Sequence, residues 1–577
     1  METMQGKKGL TRRSLLKMGG LAAAGALGAG TLAGCSPASE SPSAEVGGGT
    51  EGGLPSRWSW ETRPEPIADA DIIETVERDF IVVGAGLAGV ATACSLAENG
   101  AHVLVIEKGE TYSFRGGHYG SCNSGRWKEA GIEHDPAEIA RDWIAQCNSR
   151  CNERLVWTFL NRSGEALDWL ADKVEDHGGT VRLLGVVYKG PTYKEYEGTM
   201  MFIPEGSAQG NAFGGGVASD ASQKQLTTSE MAIYSLHDDA TAAGAEFVFN
   251  VAAEQLVKDG DKVTGVVAKD AEGYRKYVGT KGVILATGDI SGDDEMCEAY
   301  SPLMLRCNVT QYVPLGANTG DGQKMGMWIG AKMEQGPFSP MIHPQGYVRI
   351  SHYFLMTNTR GERFMNEDTW SQGKSLSALT TAGNSDHAWS VFDSTWLDQI
   401  PDTIPIGGGM FWVPSGWEYG TPWTPDADKG FFDKGLEEGM VKQGNTVEEL
   451  AAAIAADEPQ FDEATFIAEF KRYNELCAAG KDTDFGKRSE LLYELATPPF
   501  YAAKFGACRM TAPGGLLIDT KSQVLDEEDH PIEGLYAVGN VSGGLYAVDY
   551  PLVIPGNSHG RAVTFGYLLG RQLTGVE

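Results

Sequence analysis

Basic residues are scarce in this chain. Its 47 lysines and arginines are outnumbered by 78 aspartates and glutamates, giving a formal charge of −31 and a sequence pI near 4.7. A surface of that sign repels phosphate backbones and anionic headgroups, which excludes nucleic acid as a partner. No run long enough to span a bilayer follows the N-terminal segment, and no repeat at solenoid periods is present. The nine cysteines include no Cys-x-x-Cys-His, so haem is not carried covalently, and their spacing gives no sign of an iron–sulfur cluster or other metal site. What the chain does have is 577 residues, 42% of them hydrophobic, which is too many for one core and predicts two or more packed units.

The N-terminus reads as an address. Arg12 and Arg13 precede a weakly apolar run from Met18 to Gly34, a pattern that resembles a twin-arginine export signal. Leu32-Ala33-Gly34-Cys35 looks like a lipoprotein cleavage box, predicting lipid on Cys35 and an extracytoplasmic, membrane-anchored protein. Residues 1–34 carry five basic groups and one acid, so the mature chain would stand at −35. The expected division is signal 1–35, flexible linker 36–71, folded structure from about Ile72. Eight cysteines remain in the body, an even number that permits disulfides in an oxidising compartment. Cys147 and Cys151 stand four apart in a helical-looking segment, and Cys94 falls on an apolar helix face.

The strongest signal is Asp79-Phe80-Ile81-Val82-Val83-Gly84-Ala85-Gly86-Leu87-Ala88-Gly89, a β-branched run, then glycines, then an alanine-rich helical pattern. Glycines let the backbone turn sharply and approach a pyrophosphate, leaving a helix N-terminus for the anion. A second strand, His102 to Ile106, ends in Glu107, at the distance where a carboxylate meets ribose hydroxyls.

Further pieces follow: Gly116-Gly117-His118, then Val283-Ile284-Leu285-Ala286-Thr287-Gly288, then Thr319-Gly320-Asp321-Gly322, then Gly534-Leu535-Tyr536-Ala537-Val538-Gly539-Asn540. Together they resemble the fumarate reductase and succinate dehydrogenase flavoproteins, whose superfamily includes 3-ketosteroid dehydrogenases, over about Asp79 to Leu573. The resemblance implies an α/β protein: a Rossmann-like FAD-binding domain, 72–311 and 496–577, with an inserted α+β capping domain, 312–495. It implies FAD, held non-covalently, and contacts from Gly84, Ala85, Gly86, Leu87, Ala88, Gly89, Glu107, Lys108, Gly117, His118, Ser124, Ala286, Thr287, Gly288, Asp321, Gly539, Asn540, Gly556 and Ser558. Asp321 would sit near the flavin. His118 falls where succinate dehydrogenases attach FAD covalently, but the flanking residues differ. Asn540 replaces the family's usual acid, as in the steroid branch.

Gly361-Glu362-Arg363-Phe364-Met365-Asn366-Glu367 looks like the family's Gly-x-Arg-Phe-x-Asn-Glu stretch. Where dicarboxylate reductases then carry the proton-donating arginine, this chain has Ser371. Tyr347 and Ile350 stand where a relay glutamate and arginine are expected, with Arg349 one place away. Thr511 replaces the substrate-binding histidine, and Val553 or a neighbour replaces the clamping arginine. Burying a dicarboxylate without cations costs several kcal/mol per ion. Fumarate is therefore not the expected substrate.

The ending from Asp549 to Gly566 is closer to the 3-ketosteroid dehydrogenases, which implies that Tyr550 and the Gly556 N–H polarise a substrate carbonyl. The spacing between them is two residues longer than in that branch, and ungapped alignment puts Leu552 at the tyrosine. His343, of His343-Pro344, is a polar handle. Candidate proton donors are Tyr119, Tyr347, Tyr353, Tyr550 and His343, with Tyr119 and Tyr550 preferred and Arg349 or Arg509 placed to lower a phenol's pKa. Phe411, Trp412, Trp417, Trp423, Phe431 and Phe432 are candidates to line an aromatic pocket.

The expected activity is an FAD-dependent reductase of an activated C=C bond, of enone or aryl-acrylate type, acting on a small apolar or aromatic substrate and fed by a membrane-bound cytochrome or other carrier. Two alternatives stand beside it: a ketosteroid-type dehydrogenase running in the desaturating direction, and a non-catalytic electron-transfer flavoprotein with an open flavin edge and no tyrosine near it.

Overall fold

The computed structural model describes residues 57–205 and 228–577, apart from 115, 186, 192, 308, 311–315, 349, 382, 384, 408–418 and 421. The signal, Cys35, most of the linker, Arg349, Phe411, Trp412 and Trp417 lie outside the described residues.

The strand Ile72–Val83 becomes wholly buried over Phe80–Val83, where it pairs in parallel with Val103–Glu107 on one side and Tyr274–Leu285 on the other. Buried on both faces, that segment reads as a continuous β-branched run. Glu246–Phe249 and Pro531–Ala537 extend the sheet in parallel, and Ala252–Asp259 with Lys262–Lys269 form an antiparallel arm on Tyr274–Leu285. Helix Leu87–Glu98, buried almost end to end, packs between this sheet and the C-terminal helix Asn557–Leu573.

A second sheet forms the cap. Its central strand is Phe500–Thr511, flanked by Met341–Tyr347, His387–Asp393, Val441–Gly444 and Val309–Thr310. The cap therefore extends past the boundary at 495 expected from sequence, because its longest strand is supplied by residues returning towards the base. Order also begins before Ile72. Trp60 is buried, its ring packs 5.5 Å from that of Tyr300, and its carbonyl accepts a hydrogen bond from Trp328 Nε1 (2.9 Å).

The loop beginning at Arg363 serves the cap's interior. The Arg363 guanidinium forks onto Glu367 (2.9 and 2.8 Å) and onto Asp482 (3.3 and 2.8 Å), all three buried. Lys487 adds a hydrogen bond to Tyr473 (2.9 Å). This closed ion cluster holds the loop and presents no charge to a substrate. Trp423, Phe431 and Phe432 likewise belong to the cap core, packed with Phe392, Trp396 and Tyr501 rather than lining a pocket. Among the described residues no helix is long and apolar enough to cross a membrane.

Candidate functional site

A deep cleft of about 1600 Å³, measured to its open mouth, runs along the carboxyl ends of the parallel strands, where ligands bind in such sheets. One group of its walls is built by the first turn. Gly84, Gly86, Leu87 and Ala88 line the cleft, Gly86 caps helix Leu87–Glu98, and the helix N-terminus is left facing it. Ala85 and Gly89 do not line it. The Ala85 N–H donates to Glu107 Oε2 (2.7 Å), and the Gly109 N–H donates to Glu107 Oε1 (2.8 Å). Each carboxylate oxygen keeps a lone pair for a ribose hydroxyl. Lys108 pairs with Asp321 (2.8 Å) and donates to Thr319 (2.9 Å), so Asp321 sits beside the end of the strand that carries Glu107. Ser124 is not among the residues lining the cleft, and its hydroxyl caps helix Gly125–Glu129 by accepting from the Trp127 N–H (3.4 Å).

The second group is polar but nearly uncharged. It comprises Gly117, His118, Tyr119, His343, Ala286, Thr287, Gly288, Gly539, Asn540, Tyr550, Gly556 and Ser558, all on the cleft wall. Thr287 Oγ1 and Tyr119 OH are buried with no hydrogen-bond partner among the described residues. A bound group with hydroxyl or carbonyl functions would satisfy both. Burial holds the imidazoles of His118 and His343 down to about 3, so both are neutral at physiological pH.

Residues that sequence reasoning did not select complete this wall. Asp289, immediately after the Ala286-Thr287-Gly288 turn, is fully buried and accepts from Thr511 Oγ1 and, at 3.4 Å, from Asn540 Nδ2. Asn540 Nδ2 also donates to Thr511 Oγ1 (2.9 Å), and Ser558 Oγ donates to Asn540 Oδ1 (3.3 Å). His559, Met341, Met510 and Leu552 join the lining. The carboxylate following the glycine turn was a readable signal for Asp289. The resemblance had set Thr511 at the substrate-binding histidine's position, but nothing in the sequence brought His559 to the same wall.

Tyr550 is the best-placed phenol. Its oxygen accepts from the Ser558 N–H (3.0 Å) in the first turn of helix Asn557–Leu573, so its own proton is left to point elsewhere. Burial raises its pKa well above the usual value, while that N–H and the nearby Arg561 pull it back in part. Tyr119 is raised by burial alone. The expected lowering by Arg509 is not found, since that guanidinium pairs with Asp294 (3.0 Å). Tyr347 donates to Asp386 (2.7 Å), and Tyr353 packs with Tyr188 in the cap, so neither lines the cleft. Gly556 has a φ of +80°, and a β-carbon there would meet the His118 carbonyl oxygen at 2.5 Å, so only glycine fits. No guanidinium lines the cleft among the described residues. Arg561, fully buried, turns instead to the Gly539 and Ser542 carbonyls.

A match to the FAD binding domain family spans residues 79–553. The chain belongs to the fumarate reductase and succinate dehydrogenase flavoprotein superfamily. Its cofactor is FAD, and the glycine cradle, the open lone pairs of Glu107 and the unpartnered Thr287 hydroxyl fit that group. The flavoprotein is 25% identical over 519 residues to the vinyl phenol reductase of Lactiplantibacillus plantarum, covering 85% of this chain and 95% of that one. It is also 25% identical over 581 residues to the 3-oxosteroid 1-dehydrogenase of Mycolicibacterium smegmatis, covering 85% and 96%. Its fold matches the open conformation of a flavocytochrome c3 fumarate reductase with a TM-score of 0.62 at 23% identity, over 90% of this chain and 82% of that one. This flavoprotein is thus an FAD-dependent oxidoreductase acting on CH–CH groups, not a mere electron carrier.

Ser371, Thr511, Val553 and Ile350, which the resemblance sets at charged positions of dicarboxylate reductases, are all neutral and buried. Ser371 opens helix Ser371–Thr380, its hydroxyl buried and without a partner among the described residues. Thr511 serves Asp289, Val553 is buried with its carbonyl on the Tyr196 N–H (2.7 Å), and Ile350 is core.

Three carboxyls are buried elsewhere in the fold. Burial raises Glu195 to about 8, Glu334 to about 7 and Asp549 to about 6. Each binds a proton more tightly folded than unfolded, so the stability it contributes is present at low pH and is lost as pH rises through its folded pKa. The melting temperature of Glu195→Gln is therefore expected to fall less than that of the unaltered protein between pH 5 and pH 8 (~ the window set by its shift), as scanning calorimetry would show. An unchanged pH slope would refute the assignment.

Proposed function

We propose that this flavoprotein reduces a C=C bond conjugated to a carbonyl or aryl group and that fumarate is not its substrate. The observation that carries the reading is the reacting wall of the cleft: tyrosine, histidine, amide and threonine beside the buried Asp289 carboxyl, with no guanidinium among the described residues. Bound FAD supplies the hydride that adds to the β carbon. The Tyr550 hydroxyl, held by the Ser558 N–H, would give its proton to the α carbon, and the Gly556 N–H at the helix N-terminus would donate to the developing enolate oxygen. Neutral His343 offers a further hydrogen bond without the cost of a buried cation. The likeness to a vinyl phenol reductase supports an aryl-conjugated substrate. The twin-arginine pattern and Cys35 support an exported, lipid-anchored protein, and electrons would then come from a membrane-bound cytochrome or another extracytoplasmic carrier.

A second reading is favoured by the likeness to 3-oxosteroid 1-dehydrogenase: the same donors would serve the reverse, desaturating direction. One experiment addresses both. The mature chain is reduced anaerobically with dithionite or a reduced viologen, and flavin reoxidation is followed with enones, aryl acrylates and fumarate. Enones or aryl acrylates are expected to reoxidise the flavin at least about ten-fold faster than fumarate, because a buried dicarboxylate would find no cation. Faster reoxidation by fumarate would defeat the proposal. Flavin reduction by a saturated ketosteroid, with no reoxidation by the enone, would establish the reverse direction.

A further inference from the structure

Asp289 lies on the cleft wall but takes no part in the reaction proposed above. Strand Tyr274–Leu285 ends four residues before it, and Gly288, at a φ of +81°, turns the chain into it. Its Oδ1 accepts from the Ser291 N–H (2.7 Å), an Asx turn that fixes the side chain against its own loop. Its Oδ2 is left for two distant segments, the end of strand Phe500–Thr511 and the turn Gly539–Val541. From them it takes the Thr511 hydroxyl proton and, at 3.4 Å, an Asn540 amide hydrogen. All three donors are neutral, and the residue is fully buried, where charge is poorly screened.

The donors of this part of the wall are thereby committed. A threonine hydroxyl has one proton, and Thr511 gives it to Asp289. Asn540 Nδ2 donates to Thr511 Oγ1 (2.9 Å) and reaches Asp289. Reversing that amide would set its oxygen against the carboxylate, two acceptors with no proton between them, so Asp289 fixes its orientation. Asn540 Oδ1 then accepts from Ser558 Oγ (3.3 Å), which commits the serine proton as well. Thr511 keeps one lone pair for a ligand. This is the residue that the resemblance sets where dicarboxylate reductases carry a substrate-binding histidine. A donor to a substrate carboxylate is thus replaced by an acceptor bonded to an anion.

We propose that Asp289, through Thr511 and Asn540, makes the site select uncharged substrates, so that aryl alkenes, enones and acrylamides are accepted ahead of acrylate anions. This selectivity presupposes the alkene-reductase reading and narrows its substrate class. A carboxylate entering the cleft would lose its hydration, find these donors already engaged and meet the Asp289 charge in a medium of low dielectric. A neutral amide or phenol of similar shape gives up no charge solvation, and its own N–H or O–H can donate to Thr511. Arg561 does not offset the effect, since it does not line the cleft and is held on the Gly539 and Ser542 carbonyls.

The test is equilibrium binding to the oxidised, flavin-loaded mature protein at neutral pH. Cinnamate and cinnamamide, matched in shape and different in charge, are titrated against the flavin absorption band. Cinnamamide is expected to bind at least about ten-fold more tightly than cinnamate. Asp289→Asn removes the charge and keeps the shape, and should close the gap to less than about three-fold through tighter binding of the acid. A merely structural role for Asp289 would weaken both ligands together and leave their ratio as it was, which would overturn the proposal. Equal binding of acid and amide to the unaltered protein, or no response to cinnamamide, would overturn it without any variant, so a poorly folding Asp289→Asn protein does not shelter it. Binding needs no turnover: if no alkene reoxidises the reduced flavin while the two ligands behave as stated, the reductase reading fails and the selectivity of the site stands.

Discussion

Tyr550→Phe is expected to lower alkene turnover by about two orders of magnitude or more while the flavin stays bound, the range lost with a general acid. The deletion removes only an oxygen, and the ring keeps its place 5.3 Å from Tyr546. What disappears is a phenol whose acceptor position is already filled by the Ser558 N–H at a helix N-terminus, leaving its proton for the substrate. That N–H also favours the phenolate left after transfer. Because burial keeps the hydroxyl's pKa well above its usual value, the group stays protonated across the neutral range and should impose no alkaline fall in rate there. Tyr119→Phe should cost less than about ten-fold, since no N–H among the described residues holds the Tyr119 oxygen and so orients its proton. Steady-state kinetics with a viologen donor, alongside flavin content, separate the two. Equal losses in both variants would remove Tyr550 from its role.

Gly89→Ala is expected to yield protein largely without flavin. A β-carbon at that position would lie 2.0 Å from the Gly84 carbonyl oxygen and 3.3 Å from Ala286 Cβ. The first of these is backbone and cannot turn aside. Gly84 is itself tied to the Ile106 carbonyl (2.8 Å) at a φ of +108°, so the turn has no slack to yield. Helix Leu87–Glu98 would have to retreat from the sheet, at a cost of about 1–3 kcal/mol in overpacking strain, and its N-terminus would leave the place where a pyrophosphate is received. The ratio of flavin to protein absorbance after purification measures this. Full flavin occupancy would show that the close packing at Gly89 is not what holds the site.

The two expectations draw on different sources. Gly84, Gly86, Gly89 and Glu107 were legible in the sequence because their roles depend on neighbours a few residues away: a strand, a turn, a helix start and the next strand. The Arg363 loop was legible only as a family feature. Its arginine faces Glu367 and Asp482, and a partner 119 residues downstream leaves no local trace. The cap that Ser124 provides to helix Gly125–Glu129 is a local feature of the kind a serine before a short helix signals.

From the sequence alone follow the dinucleotide turn, the acidic surface and the missing arginines, because each depends on which residues are present and on short-range spacing. The meeting of Asp289, Thr511, Asn540 and Ser558 on one wall and the Ser558 N–H that holds the Tyr550 oxygen were decided by the tertiary structure. Burial, helix ends and hydrogen bonds between distant segments set a group's proton affinity, and those exist only once the chain has packed.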